Sequence, residues 1–288
     1  MCTNLNSAAT DNKLIKNRYR ADCETCFDLC CVALPYAKTA DFAFDKASGI
    51  PCRNLQEDYR CSIHTQLRKS GFRGCTVYEC FGAGQKVSQF TYDGQDWRDN
   101  PATAKEMFHV LPIMQQLHEM LYYLHEALHL KEAQPIHEHL KLAIVETERL
   151  TQLTPSAILQ LPVADHRATI NPLLVQASES VRSNVTNSSR FMDNQRNLIK
   201  GRDCIGANLS GADLKGGNLR GVLFIAANLQ NADMRMTDLI GADLRDADLR
   251  GANLEGSIFL TQAQVNSANG DKSTKLPTGL HAPEHWLD

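Results

Sequence analysis

The chain lacks the features that mark membrane, secreted or nucleic-acid-binding proteins. Its formal net charge is only −3 over 288 residues, which gives no reason to expect a nucleic acid or an anionic membrane as partner. No apolar run approaches the roughly 20 residues that a membrane-spanning helix needs. Residues 1–20 lack the apolar stretch of a signal peptide, so we expect a cytoplasmic protein.

Nucleotide-binding signatures are also missing. No GxxxxGK[ST] segment occurs, and Gly82-Ala83-Gly84 is too short to form a phosphate-binding loop. The chain is nevertheless 43% hydrophobic, which is typical of folded proteins, and its length permits two or more domains.

A five-residue period runs without a gap from Ala207 to Thr261. A large apolar residue occupies the centre of every unit, and a small residue precedes nearly every centre by two positions. The centres are Leu209, Leu214, Leu219, Phe224, Leu229, Met234, Leu239, Leu244, Leu249, Leu254 and Phe259. A period of five fits neither a helix nor a strand, so it predicts a chain that turns once per unit and stacks on itself.

Units such as Ala212-Asp213-Leu214 resemble the pentapeptide-repeat family, whose motif is A-(D/N)-L-x-x. The segments Val222-Leu223-Phe224 and Ser257-Ile258-Phe259 depart from it, because an apolar residue replaces Asp or Asn. The resemblance implies a right-handed quadrilateral β-helix of about three coils, with twenty residues in each coil. Ala212, Ala232 and Ala252 should then form one inner column.

Cysteine is abundant, and eight of the ten cysteines lie in one short segment. These are Cys23, Cys26, Cys30, Cys31, Cys52, Cys61, Cys75 and Cys80. In a cytoplasmic chain such a cluster binds metal more often than it forms disulfides, since thiolates are soft ligands for zinc or iron. Four thiolates per zinc ion would let the eight hold two ions, and the interspersed arginines could offset the surplus negative charge.

The start of this segment, Cys23-x2-Cys26-x3-Cys30-Cys31, resembles the family of zinc- or iron-chelating CxxCxxxCC domains. The resemblance continues through Gly49–Leu55 and Tyr59–His64 to Gly74–Gln85. It implies that the cysteines chelate metal and supplies no reaction. Zinc is favoured, and iron or an iron–sulfur centre is the alternative; which sulfurs ligate is left open.

The middle of the chain has helical periodicity. A long apolar stripe between Met107 and Leu128 predicts a helix, which Pro112 should kink or start. Further helices are expected over residues 135–153, from Thr154-Pro155, and after Asn171-Pro172.

One of these helices contains the literal sequence HExxH, from His125 to His129. That pattern places two zinc ligands and a carboxylate base on one helical face. A third ligand in a suitable context is missing, and the competing interpretation is a solvated, His-rich helix face.

The repeat segment has seven acidic and five basic residues, a mixed charge that does not suit a mimic of DNA. Together the patterns predict an α+β multidomain protein. Its segments are a flexible N-terminus (1–20), a Cys-rich metal domain (21–92), a helical connector (93–200), a pentapeptide β-helix (201–268) and a capping tail (269–288).

The predicted function is a metal-binding protein-interaction module with a protein partner, without catalytic residues and without a nucleic-acid or membrane partner. The alternatives are an enzyme that uses a metal held by the cysteines or by His125 and His129, and a modulator of DNA gyrase or topoisomerase.

Overall fold

The computed structural model of the protein describes residues 18–186 and 202–287. Most of the predicted flexible N-terminus and the end of the predicted helical connector, residues 187–200, therefore lie outside the described residues. The described chain divides into two compact units. The cysteine unit contains residues 18–125 and 138–172, and the repeat unit contains residues 126–137, 173–186 and 202–287.

The helices are those of the Cys-rich segment, the middle of the chain and the tail. They are α1 (Leu29–Ala33), α2 (Arg73–Val77), α3 (Ala83–Gln85), α4 (Pro101–Leu128), α5 (His137–Leu150), α6 (Pro155–Leu159), α7 (Val163–Thr186) and α8 (Gln262–Ser267). Short 3₁₀ turns span His64–Gln66, Lys131–Ile136 and Glu284–Trp286, and a π-helical turn spans Lys86–Thr91.

The helical character of the middle is confirmed, but the helix start expected after Pro172 is wrong, because α7 begins at Val163 and continues through Pro172. Helix α4 begins at Pro101 and continues through Pro112, which excludes Pro112 as its start; the alternative, a kink at Pro112, stays a prediction. Proline removes one backbone donor from a helix. In α7 the buried side chains of Ile170 and Leu174 flank the proline, and their burial offsets that loss.

The core of the cysteine unit joins the Cys-rich segment to the long helix. Leu29 and Val32 of α1 are fully buried in the same cluster as Met107, Leu111 and Met114 of α4. Because α1 begins immediately after the first cysteines, this packing holds them against a rigid helix.

Residues 203–275, which we call the repeat stack, are joined by parallel bridges, and those between residues 203 and 258 join residues twenty apart. Asn208 pairs with Asn228, and Asn228 pairs with Asp248. The Leu209 N–H donates to the Asn228 carbonyl at 2.8 Å. Among the described residues this β-structure consists of isolated bridges, not of extended strands. A coil of twenty residues follows, while the right-handed, four-sided form stays a prediction.

Each five-residue unit turns in the same way. The residue two places after the centre has positive φ, as at Gly211 (66°) and Gly251 (70°), which explains the frequency of glycine there. The Asp or Asn before the centre accepts a hydrogen bond from the N–H two residues on, as Asp213 does from Lys215 at 3.2 Å. The polar residue of the motif therefore caps the turn.

The interior of the repeat stack is apolar, as the period predicts. All eleven centre residues are at most 3% exposed, and the small residues Ala212, Ala232 and Ala252 are buried with them. Because the residues two places before the centres have small side chains, neighbouring coils approach closely enough for hydrogen bonds between their backbones.

The tail extends the repeat stack and then covers it. Asn269 bridges to Asp248 and Lys275 bridges to Asn253, after α8 has been inserted. Trp286 is buried and donates its indole N–H to the Ala268 carbonyl at 2.9 Å. A Cβ at Gly270 would lie 2.5 Å from the Trp286 ring, so the tail packs tightly there.

Across both described ranges, every helix is too short or too polar to cross a lipid bilayer.

We expect Phe224→Ala to lower the free energy of unfolding by about 3–5 kcal/mol, because it leaves a cavity at a fully buried position. Leu223→Ala, at the adjacent and 37% exposed side chain, should cost less than about 1 kcal/mol. Urea unfolding followed by circular dichroism measures both. Equal losses would contradict the inward orientation of the centre residues.

Candidate metal centre

All eight cysteines of the Cys-rich segment are free thiols within the cysteine unit. Their interactions join seven of them into two groups. The first thiol group contains Cys23, Cys26 and Cys80, and the second contains Cys31, Cys52, Cys61 and Cys75. Cys30 lies between the groups, hydrogen-bonded to Cys31 and near Cys26.

The first thiol group surrounds Gly84 and Asp28. The Cys23 and Cys26 sulfurs and a carboxylate oxygen of Asp28 all lie within 4.8 Å of one another. A Cβ at Gly84 would lie 3.3 Å from the Cys26 sulfur, and the Gly84 N–H bonds to the Cys80 sulfur. Glycine at this position therefore lets the backbone approach both sulfurs.

The second thiol group forms around a short hairpin. The Cys52 N–H donates to the Cys31 carbonyl at 2.9 Å, and Cys61 bridges to Leu55 on the opposite side of the hairpin. Cys75 is exposed as a residue, but its sulfur interacts with the others. Burial and, to a smaller extent, the charges of Cys31, Cys52 and Cys61 together raise the pKa of the Cys75 thiol to about 12.

Neighbouring cysteines on α1 separate the two groups. Successive helical residues point about 100° apart, so Cys30 and Cys31 face different directions. Their sulfurs nevertheless lie within 4.8 Å of each other and of Asp28. The two groups are therefore adjacent at Cys30, Cys31 and Asp28.

Backbone N–H groups point at several of the sulfurs. Asn54 N–H donates to the Cys52 sulfur at 3.5 Å, and Ile63 N–H bonds to the Cys61 sulfur. Burial raises the pKa of Cys61, and this hydrogen bond opposes the effect. Donors that favour the ionised form of a thiol prepare it for metal ligation.

A buried cation and a phenol complete the surroundings of the second thiol group. The Tyr36 hydroxyl donates to the Cys52 sulfur at 3.2 Å. Lys46 is only 6% exposed, and its ammonium donates to the carbonyls of Val32 and Ile50 at 3.0 and 2.9 Å. Burial lowers the pKa of Lys46, while the nearby thiolates raise it.

Asp28 is the least expected member of the site. Its side chain is buried, and the backbone at both Phe27 and Asp28 adopts positive φ, 51° and 46°. Burial and, to a smaller extent, the charge of Asp58 raise the pKa of Asp28 to about 6, against the opposing charge of Arg98. Two successive non-glycine residues in this conformation carry strain, which the surrounding packing must hold.

Helix α4 positions the loop that carries Cys80. Gln115 donates to the Glu79 carbonyl at 2.7 Å, and His118 Nδ1 lies 2.8 Å from the Phe81 carbonyl. Because a carbonyl only accepts, the proton of neutral His118 is on Nδ1. Burial lowers the pKa of His118 to about 4, so the ring is neutral at pH 7.

The HExxH motif does not form a metal site among the described residues. His125 and His129 belong to neither of the described ligand groups whose atoms lie within 4.8 Å of one another. The Glu126 carboxylate is buried and accepts the Phe259 N–H at 2.8 Å within the repeat unit. A carboxylate used in this way anchors the last repeat.

Sequence reasoning missed several of these positioning residues. Lys46 and Tyr36 carry no motif, and only their folded positions bring them to the thiols. Two arginines that were expected to offset the charge of the thiolates have other contacts: Arg60 pairs with Glu24 at 3.5 Å, and Arg53 lies over the Phe44 ring. His64 is exposed, as expected for a loop residue.

We expect acid to destabilise the protein through His118. Its folded pKa lies below the unfolded value of about 6.5, so the unfolded state takes up the proton first as the pH falls. The free energy of unfolding should fall by about 2 kcal/mol from pH 7 to pH 5. His118→Gln, whose amide can still donate to the Phe81 carbonyl, should remove this part of the loss.

Urea midpoints at the two pH values test this expectation, with His64→Gln as the exposed control. If His118→Gln lost as much stability as the wild type, His118 would not be the group that titrates.

Of two comparisons with known proteins, one identifies the repeats and the other identifies a relative over nearly the full length of the chain. The family described as "Pentapeptide repeats", in 8 copies, matches residues 203–239 and 224–259. The protein "Uncharacterized protein YybG" of Bacillus subtilis (strain 168) is 61% identical over 266 residues, which cover 92% of this chain and 94% of YybG.

The match to the "Pentapeptide repeats" family confirms the resemblance of the C-terminal segment. The resemblance of the Cys-rich segment to CxxCxxxCC domains stays a prediction. The identity to YybG extends over nearly the full length of both chains, so it includes the cysteine unit as well as the repeats. The chain belongs to the same family as YybG, and its C-terminal part consists of pentapeptide repeats.

Proposed function

We propose that this pentapeptide-repeat protein binds metal through its eight clustered cysteines and acts as a non-catalytic module for binding another protein. The gathering of these thiols into two adjacent groups, with Cys30 between them, carries the proposal. Buried thiols at such density would repel one another when ionised, and a divalent cation offsets that repulsion.

The donor set fits zinc. Four thiolates match the tetrahedral geometry of structural zinc sites, and backbone N–H groups already point at the sulfurs of Cys52, Cys61 and Cys80. Bound zinc would supply cross-linking of α1, the hairpin and the Cys80 loop. Iron or an iron–sulfur centre is the alternative that the same sulfurs permit.

The repeat stack supports the interaction role. We propose that it is a right-handed, four-sided β-helix that presents a rigid surface to a protein partner in the cytoplasm. At least four of the seven acidic side chains between residues 207 and 261 pair with arginines of the same unit or of a neighbouring coil, as in Asp243–Arg245 and Asp238–Arg220. Carboxylates neutralised in this way make a poor imitation of DNA phosphates, which argues against a gyrase modulator.

Metal content tests the metal-binding half of the proposal. We expect the wild type to hold about two ions per chain, since four thiolates hold one. Cys26→Ser should lower this content, because serine is a poor ligand for soft metals. Native mass spectrometry and elemental analysis measure it.

Cys204→Ser is the matched control, since Cys204 is a buried thiol of the repeat unit and should not affect metal content. A colourless, zinc-containing protein would favour zinc, and iron with visible charge-transfer bands would favour the alternative. A metal-free wild type, or equal loss in both variants, would overturn the metal assignment.

Cross-linking in cells tests the interaction half. We expect a photo-reactive residue at Arg245, on the surface of the repeat stack, to form a discrete adduct with one protein. The same residue at exposed Lys141 on α5 is the control and should form no such adduct. Gel mobility and mass spectrometry report the adduct, and equal patterns at the two positions would contradict a role of the repeats.

A further inference from the structure

The Asp28 carboxylate forms no ion pair with an arginine or lysine of the described chain, although the charge of Arg98 acts on it. The side chain is 5% exposed, and among residues 18–186 and 202–287 no group donates a hydrogen bond to it. Removing a carboxylate from water is costly, and buried carboxylates in proteins are commonly paired or bind metal. A cation at this position would offset the cost.

Arg98, whose charge acts on Asp28, and Lys46, whose charge acts on the thiols, both have other partners. Arg98 donates to the carbonyls of Gln56 and Glu57 at 2.8 and 2.6 Å, and its guanidinium lies 4.1 Å from the centre of the Tyr59 ring. The Lys46 ammonium donates to backbone carbonyls, including that of Val32. Neither cation forms an ion pair with Asp28.

The sulfurs beside Asp28 belong to both thiol groups. A carboxylate oxygen lies within 4.8 Å of the Cys23 and Cys26 sulfurs, and also within 4.8 Å of those of Cys30 and Cys31. The left-handed backbone at Asp28 holds the side chain at the junction. An aspartate has two oxygens that can serve two ions, and carboxylate oxygen is an accepted zinc ligand beside sulfur.

We propose that Asp28 is a ninth metal ligand, whose carboxylate links the ions held by the two thiol groups. This inference rests on the proposed metal-binding function. It makes the centre one mixed sulfur–oxygen site instead of two independent thiolate sites, so removal of the carboxylate weakens the binding of both ions.

Zinc competition tests the role of Asp28. We expect Asp28→Asn to release zinc to a chromophoric chelator at a concentration about 10-fold or more lower than the wild type requires. Asp22→Asn, which removes an exposed carboxylate next to Cys23, is the matched control and should behave like the wild type. Circular dichroism checks that both variants are folded.

Cobalt substitution gives a second measurement that does not depend on the stability of Asp28→Asn. Asp28→Cys should keep the ions and add thiolate-to-cobalt charge-transfer absorbance in the near ultraviolet, because a sulfur replaces a ligating oxygen. Unchanged zinc affinity in Asp28→Asn, or unchanged cobalt absorbance in Asp28→Cys, would show that Asp28 is not a ligand. A wild type without metal would instead overturn the proposed function itself, and this inference with it.

Discussion

The crowding of eight thiols and one carboxylate is the constraint on which the cysteine unit depends. Burial raises the pKa of Cys80 and of Cys75, because ionised sulfurs in this space lose solvent and meet other negative charges. Only a few groups oppose this: backbone N–H donors at the sulfurs and the buried ammonium of Lys46. Apolar packing already holds the short helix α1 against α4. A metal ion at the sulfurs, as proposed, would in addition connect α1 to the hairpin and to the Cys80 loop.

The repeat stack uses its polar residues differently. There the motif Asp or Asn accepts the N–H two residues on, and the same carboxylate also pairs with arginine, as Asp248 does with Arg250. These exposed ion pairs contribute little stability each. On the surface of the stack these pairs place an arginine beside an aspartate, so the carboxylates do not form a continuous acidic face. The stability of the stack comes from the buried centres and from the bonds between coils.

The HExxH segment shows why a helical motif alone is a weak indication of function. Its spacing is satisfied to the letter, yet Glu126 accepts a backbone N–H of Phe259, and His125 packs against the Tyr19 ring at 5.6 Å between centroids. A motif places residues on one helical face, but the neighbours of that face decide whether they meet solvent, a ligand or the protein interior. The same holds for Pro172, whose helix is continued by burial on both sides.

The sequence by itself determined the repeat stack and the presence of a thiol cluster. A period of five with apolar centres is local information, since every unit repeats the same turn and buries the same position. The division of the eight cysteines was decided by tertiary structure, because Cys80 joins Cys23 and Cys26 only when Gly84 lets the backbone approach. Asp28 stands among Cys23, Cys26, Cys30 and Cys31 in the sequence, so its proximity to sulfurs is partly local. Its burial, and the closeness of its carboxylate to all four sulfurs, were decided by the fold, because they depend on the backbone conformation and on the packing around α1.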